Sequence, residues 1–163
     1  GMFERQYTKI DLVRQRLDAM LKNCADPEVT RTGYVHLYGV GQACALIALH
    51  RGHDRAYAEL AEIAGMLHDY CKYRDGVEEQ HGELSSVEAK SILEDIGCFS
   101  VEEIQMMCDA ISKHSNKEDI DTEFDEILKD ADDFQRFLRN PVEDYFFRRK
   151  RNQKLLQEIG IIQ

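Results

Sequence analysis

Histidines that fall on the apolar faces of helices are the first sign of chemistry in this chain of 163 residues. A buried imidazole needs a partner, so on a core-facing stripe it either completes a hydrogen bond or binds an ion. At about 100° per residue, His36 lies about 40° from Val40 and joins the stripe of Leu37, Cys44 and Ile47. His68 continues the face of Leu60, Ala61 and Ala64, and His114 extends Ile104, Met107, Cys108 and Ile111 by one step. A single inward histidine is most often a satisfied core residue. Three from separate helices, one followed directly by Asp69, point instead to a shared ion, and imidazole with carboxylate suits zinc, iron, manganese or cobalt. Neighbours on a helix diverge by about 100°, so His68 and Asp69 reach one ion only at a helix end or in a groove. The periodicity does end near Asp69, just before Tyr70-Cys71-Lys72, where a carboxylate could bind one ion or bridge two. His50 and His53 flank Gly52 without a carboxylate at ligand-like spacing and read as surface residues.

The elements that must position these groups are helical. Ile10, Val13, Leu17, Met20, Leu21 and Cys24 form a stripe that Pro27 is expected to close. A second segment follows an expected break at Thr30-Arg31-Thr32-Gly33, carries Leu37, Val40, Cys44, Ile47 and Ala48, and stops at Gly52. Asp54 can cap a third, with Leu60, Ala61, Ala64 and Leu67. Residues 74–82 form the longest loop candidate. Ser85-x-x-Glu88 and Ser100-x-x-Glu103 read as capping boxes separated by Gly97. Phe124, Ile127, Leu128, Ala131, Phe134 and Leu138 mark another helix ending near Pro141, and a last segment covers residues 142–159. No strand alternation is evident. The expectation is an all-α, single-domain bundle of about six to eight helices spanning residues 1–163.

Composition narrows the class. Hydrophobic residues at 43% and charged residues at 32% suit a globular chain, and no apolar run reaches the roughly 20 residues of a membrane span. A formal charge of −10 repels nucleic-acid backbones, so no nucleic acid and no membrane partner is expected, and a phosphorylated ligand would need a local cation or metal. Five cysteines without a C-x-x-C pair read as reduced thiols of a cytoplasmic protein. No secretory leader pattern opens the chain, and Gly1 before Met2 reads as a cloning remnant. The basic run Arg148 to Arg151, beside Tyr145, Phe146 and Phe147, reads as a charged helix face answering the acidic residues between Glu118 and Glu126.

His36, then His68-Asp69 thirty-two positions later, then a downstream acid in Lys129-Asp130-Ala131-Asp132 resemble the HD superfamily of metal-dependent phosphohydrolases. His36-Leu37-Tyr38-Gly39-Val40 is similar to the family's first-histidine helix. Ala64-Gly65-Met66-Leu67-His68-Asp69-Tyr70-Cys71-Lys72 is similar to its second motif, and the similarity covers a motif core of about residues 30–140. Members with two metals insert two further histidines, and His81, in a His81-Gly82 loop, and His114 stand in those places. The second motif particularly resembles the bis(5′-nucleosyl)tetraphosphatase-like HD proteins, which carry iron, although Ser115-Asn116 replaces their Thr and Gly pattern after the late histidine.

The resemblance implies the HD-domain fold and hydrolysis of a phosphate ester or anhydride, of a nucleotide, by a metal-bound hydroxide at a mono- or dinuclear site. It implies one or two divalent transition metal ions, iron first, with manganese, cobalt, zinc or nickel as alternatives. His36, His68, Asp69 and Asp132 would hold one ion, and His81 and His114 a second with Asp69 bridging. Family pattern favours Asp132 as the last ligand, with Asp130 as second choice and Asp133 read as solvated; helical geometry does not decide between the first two. Lys72 is the candidate for binding phosphate or steadying Asp69. Two other readings share this donor set: an HD-type diiron oxygenase, and a non-catalytic nucleotide-binding module with a retained metal. Family members often pair, so a homodimer is a further expectation.

Overall fold

In this computed structural model residues 7–163 are described, and Gly1 and Met2 lie outside them. Thr8 opens α1 (Lys9–Lys22) through a capping box: its hydroxyl accepts from the Asp11 N–H while the Asp11 carboxylate accepts from the Thr8 N–H. Of the predicted stripe, Val13, Leu17, Met20 and Leu21 are buried and Ile10 and Cys24 are partly buried against them. Pro27 does not close this segment but opens the next. Asp26 caps α2 (Pro27–Gly33), and Pro27 takes the first helical position, where a missing N–H is harmless. The expected break at Thr30-Arg31-Thr32-Gly33 does not occur, because α2 continues through a π-helical turn, Tyr34–Tyr38, into α3 (Gly39–His50). Gly33 keeps helical dihedrals (φ −62°, ψ −48°), and its bare Cα leaves room for Leu21 rather than breaking the chain.

Asp54 caps α4 (Arg55–Leu67) as predicted, accepting from the Tyr57 N–H. After the short α5 (Tyr70–Asp75) come α6 (His81–Ile96) and α7 (Val101–Lys113), the latter opened by the predicted Ser100–Glu103 capping box. A third capping box, Thr122 with Asp125, opens α8 (Glu123–Arg139). The candidate loop 74–82 shrinks to residues 76–80. Ser85-x-x-Glu88 is no cap: Ser85 is fully buried inside α6, where its hydroxyl accepts from the Cys71 N–H at 3.0 Å. The last expected segment is broken at Arg148-Arg149 into α9 (Asp144–Phe147) and α10 (Lys150–Glu158). The basic run therefore straddles a helix break, with Arg149 at 3.2 Å from Asp133 and Arg151 at 2.8 Å from Glu126 on α8, while Arg148 pairs with Asp144 at 3.5 Å.

The fold is all-helical, without a strand among the described residues. At its centre α3 crosses α4 with the backbones almost touching, since a Cβ on Gly65 would stand 2.8 Å from the Gly41 Cα. Helix α8 packs on α3 and also meets α4 and α7, while α7 packs on α4 and α6 on α7. Leu37, Ile47, Ile63, Leu67, Met107, Ile111 and Ile127 are fully buried or nearly so between them, each worth about 1.5–3 kcal/mol of transfer free energy. This arrangement points the end of α4, the π turn, the start of α6, the end of α7 and the middle of α8 at one place.

Candidate metal centre

Every contributing element except α8 ends or bends where it delivers a side chain. His36 sits in the π turn, whose extra residue shifts the face that follows, and it is buried. His68 stands just past α4. Asp69 leaves helical geometry (φ −114°, ψ 23°), which cancels the usual divergence of adjacent side chains. His81 is not in a loop but is the first residue of α6, preceded by Gln80 in the left-handed region at φ 54°. That conformation costs a non-glycine residue roughly 1–2 kcal/mol, and it turns the chain so that His81 faces back over α7. Gly82 makes the approach feasible, since a Cβ there would meet the Ser112 carbonyl at 3.1 Å. His114 follows the last turn of α7, and Asp132 projects from α8.

The donor atoms of His36, His68, Asp69 and Asp132 form one buried group, and those of Asp69, His81 and His114 a second. In the first, His36 Nε2 lies 3.3 Å from His68 Nε2 and 3.2 Å from both Asp69 Oδ2 and Asp132 Oδ1. His68 Nε2 lies 3.1 Å from Asp69 Oδ2 and 3.5 Å from Asp132 Oδ1. In the second, Asp69 Oδ1 lies 3.0 Å from His114 Nε2 and 3.2 Å from His81 Nε2, which are themselves 3.1 Å apart. Asp69 thus gives one oxygen to each group.

The other ring nitrogens show which atom is free to bind. Nδ1–H donates to the Gly65 carbonyl from His68, to the Glu78 carbonyl from His81 and to the Ile111 carbonyl from His114. His36 Nδ1–H donates to Gln135 Oε1 at 2.7 Å. Such bonds fix the tautomer and leave Nε2 as the lone-pair donor. Neutral imidazoles would then aim four Nε2 lone pairs at two carboxylates with no cation between them. Both Asp69 oxygens are buried without a hydrogen-bond partner. The spacings match the edges of a coordination shell: bonds of about 2.1 Å put neighbouring donors about 3.0 Å apart in an octahedron and about 3.4 Å apart in a tetrahedron. The buried cluster fits a metal site.

The electrostatics express the same demand for positive charge. Burial alone would push the His68 imidazolium down, but Asp69 and Asp132 lift it to about 9. Burial pulls His114 down, and the neighbouring His68 charge adds to this against the opposing pull of Asp69. Burial works against ionisation of Asp69 and Asp132, yet the facing imidazoles, and for Asp132 also Lys117, hold both well below the usual carboxylate range. Two anions are therefore fixed in a nearly dry site.

Among the alternatives for the downstream acid, the structure separates Asp130 from Asp132. Asp130 turns away to Arg51 at 2.7 Å and Arg151 at 2.9 Å. Asp133 is buried against Arg149 rather than solvated as expected, because α9 and α10 fold back over that flank of α8. Lys72 is half-buried with its ammonium 3.6 Å from Glu78, in the loop that leads to His81, rather than paired with Asp69. His50 is exposed, whereas His53 is partly covered, stacked on Tyr57 and hydrogen-bonded to Glu123 at 2.7 Å.

Sequence reasoning missed three neighbours. Gln135 orients His36; Lys117 donates to Asp132 Oδ2 at 2.9 Å; Arg136 approaches Asp132 Oδ1 at 3.4 Å and Asp69 Oδ2 at 3.8 Å. The i,i+4 spacing of Asp132 and Arg136 was a usable signal; nothing local marks Gln135 or Lys117.

A family model described as the HD domain matches residues 33–136, a stretch that contains all six converging residues. No curated protein matches the chain. No solved structure matches it either.

Proposed function

Since this chain belongs to the HD domain family, we propose that it is a metal-dependent phosphohydrolase acting on a phosphate ester or anhydride of a nucleotide. The observation that carries this reading is Asp69, whose two buried oxygens, without a proton donor of their own, face two separate pairs of imidazoles. His36, His68, Asp69 and Asp132 would hold one ion, and Asp69, His81 and His114 a second. Iron comes first in line with the resemblance, and four imidazoles with two carboxylates can equally take manganese, cobalt, zinc or nickel. Nucleoside monophosphates and dinucleoside polyphosphates are the first substrates to assay side by side, the latter in line with the resemblance of the second motif.

Bound divalent ions supply a water acidified from 15.7 towards about 7 and polarise phosphate oxygens. The chain's own residues do the rest. The four Nδ1–H bonds hold the Nε2 atoms in place before any ligand arrives, so little reorganisation is needed. His36 and His68 lie deep and keep bulk water out, while His81, with 18% of its side chain exposed, marks the open edge where substrate enters. Ser115 Oγ, 3.2 Å from His81 Nε2, and Lys72, beside the same loop, are placed to donate to phosphate oxygens there.

The test is elemental analysis of protein produced with metals present, followed by assays of nucleotide phosphates with and without oxygen. One or two transition-metal ions per chain and turnover under nitrogen are expected. His68→Ala and Asp69→Ala should abolish both metal binding and turnover while leaving the helical circular dichroism intact. Less than a tenth of an ion per wild-type chain would refute the reading.

A further inference from the structure

Two cations crowd a site that reads as a holder of cations. Lys117 Nζ donates to Asp132 Oδ2 at 2.9 Å and to the His114 carbonyl at 2.7 Å. Arg136 brings Nε to 3.4 Å from Asp132 Oδ1, and its terminal nitrogen to 3.5 Å from His36 Nε2 and 3.8 Å from Asp69 Oδ2. Neither is a surface group that happens to drift past: their side chains are only 13% and 21% exposed, and the Arg136 guanidinium is also seated 5.7 Å over the Phe146 ring.

The charges of Asp69 and Asp132 are thereby matched one for one. Any divalent ion entering the cluster then brings two positive charges that no protein group balances, at a place where burial keeps charge–charge terms strong. A site built only to retain metal would leave its carboxylates uncompensated. This one lowers its own affinity for metal, and the surplus is neutralised only when an anion arrives. A guanidinium fork and an ammonium on either side of Asp132 suit the oxygens of a phosphate.

Resting on the phosphohydrolase reading above, we propose that Lys117 and Arg136 are specificity-determining residues that weaken metal binding and hold the oxygens of a dianionic phosphate, so that the site selects phosphate monoesters over diesters. A monoester carries close to two negative charges near neutral pH and offers three terminal oxygens. A diester carries one charge and offers two, so it leaves part of the surplus unbalanced.

The experiment uses the full chain, with manganese(II) as the metal probe and inorganic phosphate as the anion probe, both followed by calorimetry. Lys117→Met and Arg136→Met should each bind manganese about tenfold tighter than wild type, from the removal of one nearby like charge. On the manganese-loaded protein both should bind phosphate about tenfold more weakly, and the preference for phenyl phosphate over diphenyl phosphate should fall. Lys154→Met, the same charge change at an exposed position, should alter neither. If a methionine variant melts early, Lys117→Gln and Arg136→Gln keep a donor for Asp132 while removing the charge and carry the same expectations. Manganese affinity unchanged or weakened in the folded variants overturns the proposal. So does tighter manganese with unaltered phosphate binding, a result that would leave the hydrolase reading standing. Wild-type protein that binds no manganese, iron or zinc overturns both.

Discussion

His68 Nε2 and Asp69 Oδ2 lie 3.1 Å apart although the two residues are adjacent in the chain. On a continuous helix they would point about 100° apart. The chain solves this by ending α4 at Leu67 and taking Asp69 out of helical dihedrals before α5 begins. The same step turns the second carboxylate oxygen to within 3.0 Å of His114. One irregular residue therefore joins two groups of donors that regular helices would have kept separate.

His81→Ala should reduce the metal content from two ions to one and leave the other in place. His81 contributes only to the group shared by Asp69 and His114, and the group of His36, His68, Asp69 and Asp132 does not include it. Metal-to-protein stoichiometry by mass spectrometry or plasma emission reads this directly. An unchanged ratio would remove the dinuclear version.

Gln135→Leu should weaken metal binding about 10- to 100-fold, the usual cost of losing the group that orients a ligating imidazole. Leucine nearly fills the volume but cannot accept from His36 Nδ1–H, which is buried away from bulk solvent. Gln135→Glu, which can still accept, should recover most of the affinity in a competition titration.

Gly65→Ala should destabilise the fold by about 1–2 kcal/mol. Alanine gains roughly 1 kcal/mol of helix propensity. Against this, its methyl would stand 2.8 Å and 2.9 Å from Gly41 backbone atoms, which cannot rotate aside, so α3 and α4 must separate. A drop in Tm of about 2–8 °C is expected. Metal affinity should fall with it, because the π turn that holds His36 runs directly into α3 and His68 caps the end of α4.

Lys129→Met should soften the protein's acid sensitivity, measured as Tm against pH in chelator. Lys129 is fully buried, with its ammonium 2.7 Å from Asp121, 3.2 Å from Glu126 and 2.8 Å from the Asp119 carbonyl, clasping the segment after His114 onto α8. The Lys129 bond holds the Asp121 carboxyl below its ordinary value; burial opposes the same shift at Glu126 but loses to the Asp121 N–H, Arg151 and Lys129. A carboxyl lowered in the folded state lends stability that is complete above its unfolded value and drains away as pH falls through the folded one. Wild type should therefore lose stability below about pH 4, near the reference range of these carboxyls. The variant, already about 1–3 kcal/mol weaker near neutrality for want of the bonds, should lose less on acidification. Parallel pH profiles would show that the clasp is not what the acid breaks.

How much of this was legible beforehand differs by kind of feature. The all-helical fold, the caps at Asp54 and Ser100 and the inward faces of His36, His68 and His114 follow from periodicity and from local hydrogen-bond chemistry, and the structure agrees with them. Ser85 shows the limit of such reasoning: a pattern that satisfies a capping box becomes mid-helix when the chain before it is already helical and the serine has a buried N–H to serve. Gly33 misled for a related reason, since a glycine required for close packing looks the same in a sequence as one that breaks a helix.

By itself the sequence determined which side chains face inward and which termini are capped, because these depend on neighbours three or four positions away. Only the tertiary structure decided that Asp132 rather than Asp130 joins the cluster, that His81 enters it from the first turn of α6, and that Gln135, Lys117 and Arg136 surround it. Those relationships join residues up to 100 positions apart. They are set by how closely α3, α4, α7 and α8 can approach, which no local spacing encodes.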